Sequence, residues 1–296
     1  FVNEETFRRH LRHVGPHSLN ELNMYDDQEF PQYPRHPGKA EDMDGLRRIL
    51  DGYDCGVAYA DSIVGQILDD LRRRGWYEDM AVIVTSDHGE NMGELGIYGE
   101  HATADQPTCH IPMIIKWPGG PKGAADGGFH YNLDLVPTVA ELLGLPRWEK
   151  WDGQSFAPTL TGGQEAGRPF LVLSQMAHVC QRSVRMDDWL YIRTYHDGFH
   201  LFDREMLFNL REDPYEQQDI KDDHPGVVDR LAKLLLDWVD EQMMSSDSTV
   251  DPLWEVIQDG GPAHTRGFLP AYLQRLEATG RAEGAQELRR RHPGAL

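Results

Sequence analysis

The sequence predicts an α/β fold followed by a smaller α+β unit, on three observations. A long helical pattern runs from about Met43 to Arg74. Two short apolar runs follow it, Met80-Ala81-Val82-Ile83-Val84-Thr85 and Ile111-Pro112-Met113-Ile114-Ile115-Lys116-Trp117, separated by a polar loop. Helix, strand, loop and strand in that order are the grammar of an α/β sheet. Past residue 165 the texture changes to short strands and an amphipathic helix, as in an antiparallel sheet with a helix on one face. We therefore expect an α/β domain over residues 1–160 and a C-terminal α+β subdomain with a helical tail over residues 165–296.

Each element has its own warrant. Residues 1–42, with Pro31-Gln32-Tyr33-Pro34-Arg35-His36-Pro37-Gly38, read as an irregular surface excursion. In the long helix Leu46, Ile49, Leu50, Tyr53, Val57, Val64, Ile67, Leu68 and Leu71 recur at three and four, which predicts one buried stripe. Gly75 stops it, and Arg72, Arg73 and Arg74 suit its negative end. Gly52, Gly56 and Gly65 point to close packing or a bend. The β-branched run 80–85 predicts a strand buried on both faces, as in a parallel sheet. A helix fits Asp134 to Leu143, with Asp134 as N-cap and Gly144 as stop. Phe170 to Ser174, Ser183 to Met186, Trp189 to Thr194 and Glu205 to Leu210 read as strands, the middle two as a hairpin around Asp187-Asp188. A helix fits Gly226 to about Met243, and another Leu269 to Arg291 with Pro270 in its first turn.

Charge narrows the function. A formal net charge of −20 repels DNA, RNA and anionic membranes, so nucleic acid is excluded as a partner. No stretch approaches the ~20 apolar residues of a membrane span. An anionic substrate would need local positive charge against this field. The three cysteines, Cys55, Cys109 and Cys180, are too few and too widely spaced for a disulfide framework. Cys55 and Cys109 read as buried packing residues.

Chemistry concentrates between residues 85 and 118. Asp87 and His88 follow the end of a strand, where ligands gather in open α/β sheets. A carboxylate and an imidazole there can ligate a metal. Gly89 lets the backbone turn away, and the loop to Gln106 carries Glu90, Glu94, Glu100, His101 and Asp105. Read alone, Asp-His-Gly is also what a surface turn contains when its Asp caps the next element.

The longer string Thr85-Ser86-Asp87-His88-Gly89-Glu90-Asn91-Met92-Gly93-Glu94, with Thr108-Cys109-His110-Ile111-Pro112 and Trp117-Pro118-Gly119, closely resembles the sulfatase family. Asp51-Gly52-Tyr53-Asp54, Val64-Gly65-Gln66-Ile67-Leu68, Asp134-Leu135-Val136-Pro137-Thr138, Gly153-Gln154-Ser155-Phe156 and Leu207-Phe208-Asn209-Leu210 extend the resemblance over about residues 40–240, in order. It implies an alkaline phosphatase-like central sheet, incomplete because its N-terminal part is missing, and a calcium-centred site with Asp87 and His88 as metal ligands. It also implies a catalytic His101, at a position where many members place a basic residue against the sulfate group. His101 reads equally as a structural loop histidine. Imidazole suits a transition metal better than calcium, which keeps Mn2+ or Zn2+ as alternatives.

The family's nucleophile is a formylglycine made from Cys or Ser in a Cys-x-Pro-Ser-Arg-like motif. Cys55 precedes Gly-Val-Ala-Tyr, Cys109 precedes His-Ile-Pro-Met and Cys180 precedes Gln-Arg-Ser-Val-Arg, so none matches. The resemblance thus implies a sulfuric ester hydrolase acting on a small-molecule or carbohydrate sulfate ester, with no nucleophile in this chain. The chain alone is then not competent, and a separate N-terminal segment completes the fold. A phosphonate or phosphodiester hydrolase of the same superfamily and a catalytically incomplete remnant are the alternatives. Gly15-Pro16-His17, the cations from Arg182 to Arg193, Lys221, and the string from Gly260 to Gly267 stand apart without an assigned role.

Overall fold

A computed structural model describes residues 2–22, 38–163 and 167–295. In chain order its elements are α1 (Glu4–Leu11), α2 (Met43–Arg73), β1 (Val82–Thr85), β2 (Asn91–Met92), β3 (Tyr98–Glu100), α3 (Gln106–Cys109), β4 (Met113–Lys116), α4 (Leu135–Leu142), α5 (Ala157–Leu160), β5 (Leu171–Gln175), β6 (Cys180–Met186), β7 (Trp189–His196), β8 (Glu205–Asn209), α6 (Pro225–Ser245), α7 (Pro252–Gln258), α8 (Leu269–Ala278) and α9 (Ala282–Arg291). This is a mixed α/β chain whose later part holds a four-stranded antiparallel sheet, as its alternating strands predict. The residues group into two units: Phe1–Asp54, His88–His110 and Val172–Leu296 in one, Cys55–Asp87 and Ile111–Leu171 in the other.

In the first unit β5, β6, β7 and β8 lie side by side. β6 and β7 form the expected hairpin with Met186 opposite Trp189, and Asp187 at its tip takes φ 51°. Leu190, Ile192, Met206 and Phe208 form one buried face of the sheet, and α6 packs on β6 with Leu231 and Leu235 buried. The N-terminal excursion expected from composition is instead partly core. Asn3 caps α1 by accepting the Thr6 N–H at 2.9 Å, and Phe7, Leu19, Leu22, Leu46 and Tyr98 share one apolar cluster. The Asn cap and the single Phe were outweighed in the sequence by the surrounding charge. The segment Pro31 to Pro37 lies outside the described residues. The tail helix is also two helices. Gly280 takes φ 76° between α8 and α9, and Leu269, Leu273, Leu276 and Leu288 join across that break into one core.

The second unit departs further from expectation. β1 pairs only with β4 among the described residues, and antiparallel, with Ile83 opposite Ile115 and Val84 opposite Ile114. A two-stranded ladder covers neither of its faces, so Ile114 stays 66% exposed rather than doubly buried. The later stripe of α2 is open as well, Val57 at 55% and Ile67 at 56%. A Cβ at Gly52, Gly56 or Gly65 would meet nothing within 4 Å, so these glycines mark no close approach among the described residues. Cys55 is exposed on the same helix. Asp134 does not cap α4 with its side chain. Its carboxylate takes Arg168, with Nη2 to Oδ1 at 2.7 Å, and the N–H groups of Tyr131 and Gln154, each at 2.7 Å.

Candidate metal and imidazole site

Asp87 follows β1 and ends the Cys55–Asp87 segment of the second unit, and His88 opens a loop of the first. Within the first unit that loop is held from below. Gly89 N–H donates to Thr108 O at 2.8 Å. Asn91 Nδ2 donates to Asp105 Oδ2 at 2.5 Å, and Asn91 Oδ1 accepts from Thr108 Oγ1 at 2.9 Å. Asp105, buried, caps α3 by accepting the Thr108 N–H at 3.1 Å. Gln106 N–H donates to buried Glu216 at 2.9 Å, and Gln175 Nε2 to His101 O at 3.0 Å.

On this floor stands a row of four imidazoles. His88 and His101 stack with centroids 3.8 Å apart and planes inclined by 22°. His178 meets His101 edge-on at 5.1 Å, and His264 stacks on His178 at 4.3 Å and 8°. Glu90 Oε2 lies 3.5 Å from His101 Nδ1 and 3.9 Å from His88 Nδ1. Burial pushes the Glu90 carboxyl up, against the pull of His101 and His88. Burial, then the neighbouring His264 and His101, brings His178 down to about 4. Burial beside Glu90 pushes Glu100 up to about 8.

His88, Glu90 and His101 are close enough to share an ion. One carboxylate and two imidazoles suit zinc or manganese better than calcium. The stacking works against sharing, because a metal binds imidazole in the ring plane and two rings lying nearly face to face do not share one in-plane point. As placed, only one of the two imidazoles serves an ion together with Glu90. Of the 6–8 oxygen ligands calcium takes, Asp87 could supply one or two and the His88 imidazole none. The residues present therefore fit a complete calcium shell poorly.

His178 escaped the sequence reading because nothing local marks it, and His264 lies in the Gly260–Gly267 string that stood apart without an assigned role. They reach the row through long-range folding, with the Gly260–Gly267 string delivering His264, whose N–H donates to Ala177 O at 3.0 Å. The cations set aside earlier have structural partners. Arg182 pairs with Asp251, and Lys221 with Asp203 at 2.9 Å and Asp219 at 2.6 Å.

The buried histidines make a pH prediction. Burial takes His10, His178 and His196 from 6.5 to about 4 and His200 to about 3. Below pH 6.5 the unfolded chain binds protons that the folded chain refuses, so stability falls with pH through that range. Glu100 has the opposite sign. Its folded value of about 8 stands above 4.5, so the stability of its protonated form is lost as pH rises from 4.5 through 8. Urea midpoints should peak near pH 6.5, with Glu100→Gln flattening the alkaline limb. Midpoints that climb steadily from pH 5 to 9 would contradict this.

Comparison with known proteins agrees with this architecture. The Sulfatase family model matches residues 9–145, and the model for the C-terminal part of N-sulphoglucosamine sulphohydrolase matches residues 93–242. The choline-sulfatase of Rhizobium meliloti is 29% identical over 64% of this chain and 36% of its own, and arylsulfatase K of Gallus gallus 29% identical over 68% and 39%. A solved structure in complex with its substrate D-glucosamine-2-N,6-O-disulfate superposes with TM-score 0.56 at 22% identity, covering 64% of this chain and 40% of that one. The chain thus spans less than half the length of these relatives. With both models matched in overlapping succession and the fold shared, the chain belongs to the sulfatase family, within the alkaline phosphatase-like superfamily.

Proposed function

We propose that this chain is the later part of a sulfuric ester hydrolase that cleaves a small-molecule or carbohydrate sulfate ester, with the nucleophile supplied from outside these 296 residues. The observation that carries the reading is the loop after β1, which lies inside the Sulfatase match and gathers His88, Glu90 and His101 on a hydrogen-bonded floor. In this reading Asp87 and His88 contribute two ligands to a divalent metal, calcium as the family resemblance implies, with Mn2+ or Zn2+ as alternatives. The other ligands lie elsewhere in the full protein. Such an ion would supply positive charge for the sulfate oxygens in an otherwise acidic protein. His101 would donate a proton or a hydrogen bond to the departing oxygen, with Glu90 Oε2 3.5 Å from its Nδ1 to orient the ring. An N-terminal segment would cover the open β1–β4 ladder. The exposure of Ile83, Met113 and Ile114 supports that part of the reading.

The full gene product that contains this chain tests all of it. It should release sulfate from an aryl sulfate or a sulfated hexosamine, while the 296-residue chain alone should not. Mass spectrometry should find formylglycine upstream. Asp87→Ala is expected to lower turnover about 10²–10³-fold and to reduce bound metal, and His101→Ala to lower turnover about 10²–10⁴-fold. An upstream region without the Cys or Ser motif, or full turnover in Asp87→Ala, would sink the reading.

A further inference from the structure

The first unit holds a second group of metal-ligating side chains. A ring nitrogen of His196, a carboxylate oxygen of Asp197 and a ring nitrogen of His292 all lie within 4.8 Å of one another. His196 is the last residue of β7, Asp197 opens the turn after it, and His292 is the C-cap of α9. Only folding brings His292 to the other two.

The rings differ from the His88–His101 stack in the respect that matters for an ion. Two imidazoles on one tetrahedral ion, with metal–nitrogen bonds of about 2.0–2.1 Å, have ring centroids roughly 5 Å apart. Those of His196 and His292 are 4.7 Å apart with planes inclined by 39°, against 3.8 Å in the stack. Asp197 Oδ1 lies 2.8 Å from His292 Nε2, near the roughly 3.3 Å that separates neighbouring ligand atoms on such an ion. The carboxylate is oriented in advance. Phe199 N–H donates to its Oδ1 at 3.0 Å, and Arg291 Nη1 lies 3.2 Å from its Oδ2 while donating to Phe202 O at 2.6 Å. The turn is pinned as well, because a Cβ at Gly198 would fall 2.2 Å from His178 O. Outer contacts of this kind fix ligands in place for a metal.

Charge and donor type select the ion. Asp197 supplies a negative charge, and the Arg291 beside it is shared with Glu287 at 2.7 Å. His292 stands at the carbonyl end of α9, the end of a helix that favours a cation. Two nitrogens and one carboxylate suit zinc or a similar transition ion, where calcium takes oxygens.

We propose that His196, Asp197 and His292 form a site for a divalent transition metal of the zinc class, which clips the end of α9 to the turn after β7, with water as the fourth ligand. The hydrogen that His292 Nε2 shares with Asp197 leaves that nitrogen, for Nδ1 or for solvent, and the ion takes its place. His196 Nδ1 now accepts the Gly198 N–H at 3.1 Å. Whichever nitrogen of His196 takes the ion, Nδ1 then holds either the ion or a hydrogen, so the Gly198 N–H loses its acceptor. None of this rests on the sulfatase reading.

Equilibrium dialysis of the full gene product that contains this chain, stripped of metal with EDTA, tests the site with Zn2+ and with Ca2+ as the control. A His88→Ala background keeps the loop after β1 out of the count. In that background Zn2+ should bind at about micromolar strength or tighter, and excess Ca2+ should not displace it. His292→Gln keeps an N–H donor for Asp197 but offers no imidazole. It should weaken this binding by more than the ~10–100-fold that loss of an outer contact to a ligand costs, and His196→Gln should do the same. Zn2+ should also shift the Gly198 amide resonance and speed its hydrogen exchange in the background, and in neither glutamine variant. Thermal unfolding in EDTA, alike in all three proteins, shows that lost binding is not lost folding. If a glutamine variant fails to fold, the Gly198 amide in the background decides alone. The proposal is overturned if the background binds no Zn2+, if both glutamine variants bind it as the background does, if Ca2+ displaces it, or if Zn2+ binds without moving the Gly198 amide.

Discussion

Gly89→Ala is expected to destabilise the first unit by ~3 kcal/mol or more and to misplace His88 and Glu90. A Cβ at position 89 would fall 1.9 Å from Pro107 O and 3.1 Å from Pro107 C. The obstacle is backbone, so no change of rotamer relieves it. Pro107 cannot yield easily, because α3 is tied through Asp105, Asn91 and Gln106 to buried partners. The strain must move residues 88–90 instead, and with them the Glu90 carboxylate beside His101. Gly99→Ala is the control. Gly99 takes φ 64° but its Cβ would meet nothing within 4 Å, so it should cost only about 1–2 kcal/mol, through backbone conformation. Chemical denaturation of both variants, with histidine NMR spectra to follow the imidazole row, separates the two costs. A Gly89→Ala protein as stable as the parent would show that the 107–108 backbone gives way.

What could be read in advance follows how local each feature is. The helix over 43–74, the 183–194 hairpin and the 226–243 helix depend on spacing and turn chemistry within a few residues, and the structure has them at nearly those bounds. Gly89 was legible as a glycine the loop needs, but for the wrong reason. It serves a close approach to Pro107, which lies 18 positions away, rather than a turn of its own. The direction and depth of β1 were not legible, since an apolar run reports what a strand is able to bury and not which strands are present to cover it. His178 and His264 illustrate the same limit at the site. Neither has a local context that assigns it a role, and only the packing of distant segments stacks the two rings. Arg182, left without a role from sequence, is explained only when its buried carboxylate partner is seen.

That partner is Asp251, and Asp251→Ala is expected to cost about 3–5 kcal/mol of stability. Arg182 Nη1 donates to Asp251 Oδ2 and Nη2 to Oδ1, both at 2.6 Å, with each side chain 8% exposed. The guanidinium also lies 5.8 Å from the Trp238 ring centroid. Removing the carboxylate strands a charge that cannot reach water, which is what makes one-sided loss of a buried pair so costly. It also removes the cap of α7, where Asp251 Oδ1 accepts the Leu253 N–H at 3.0 Å, worth about another 1 kcal/mol. The double variant Arg182→Met/Asp251→Ala separates the two costs. It takes away both charges and keeps the lost cap, so it should recover most of the deficit and retain about 1 kcal/mol of it. The consequence reaches the imidazole row, because β6 begins at Cys180, two residues after His178, and Arg182 anchors that strand to α7. Hydrogen exchange should therefore rise at residues 178–182 in Asp251→Ala and return toward the parent in the double variant. If the single and double variants are equally unstable, the stranded charge is not the cause, and the cap and packing of α7 carry the energy instead.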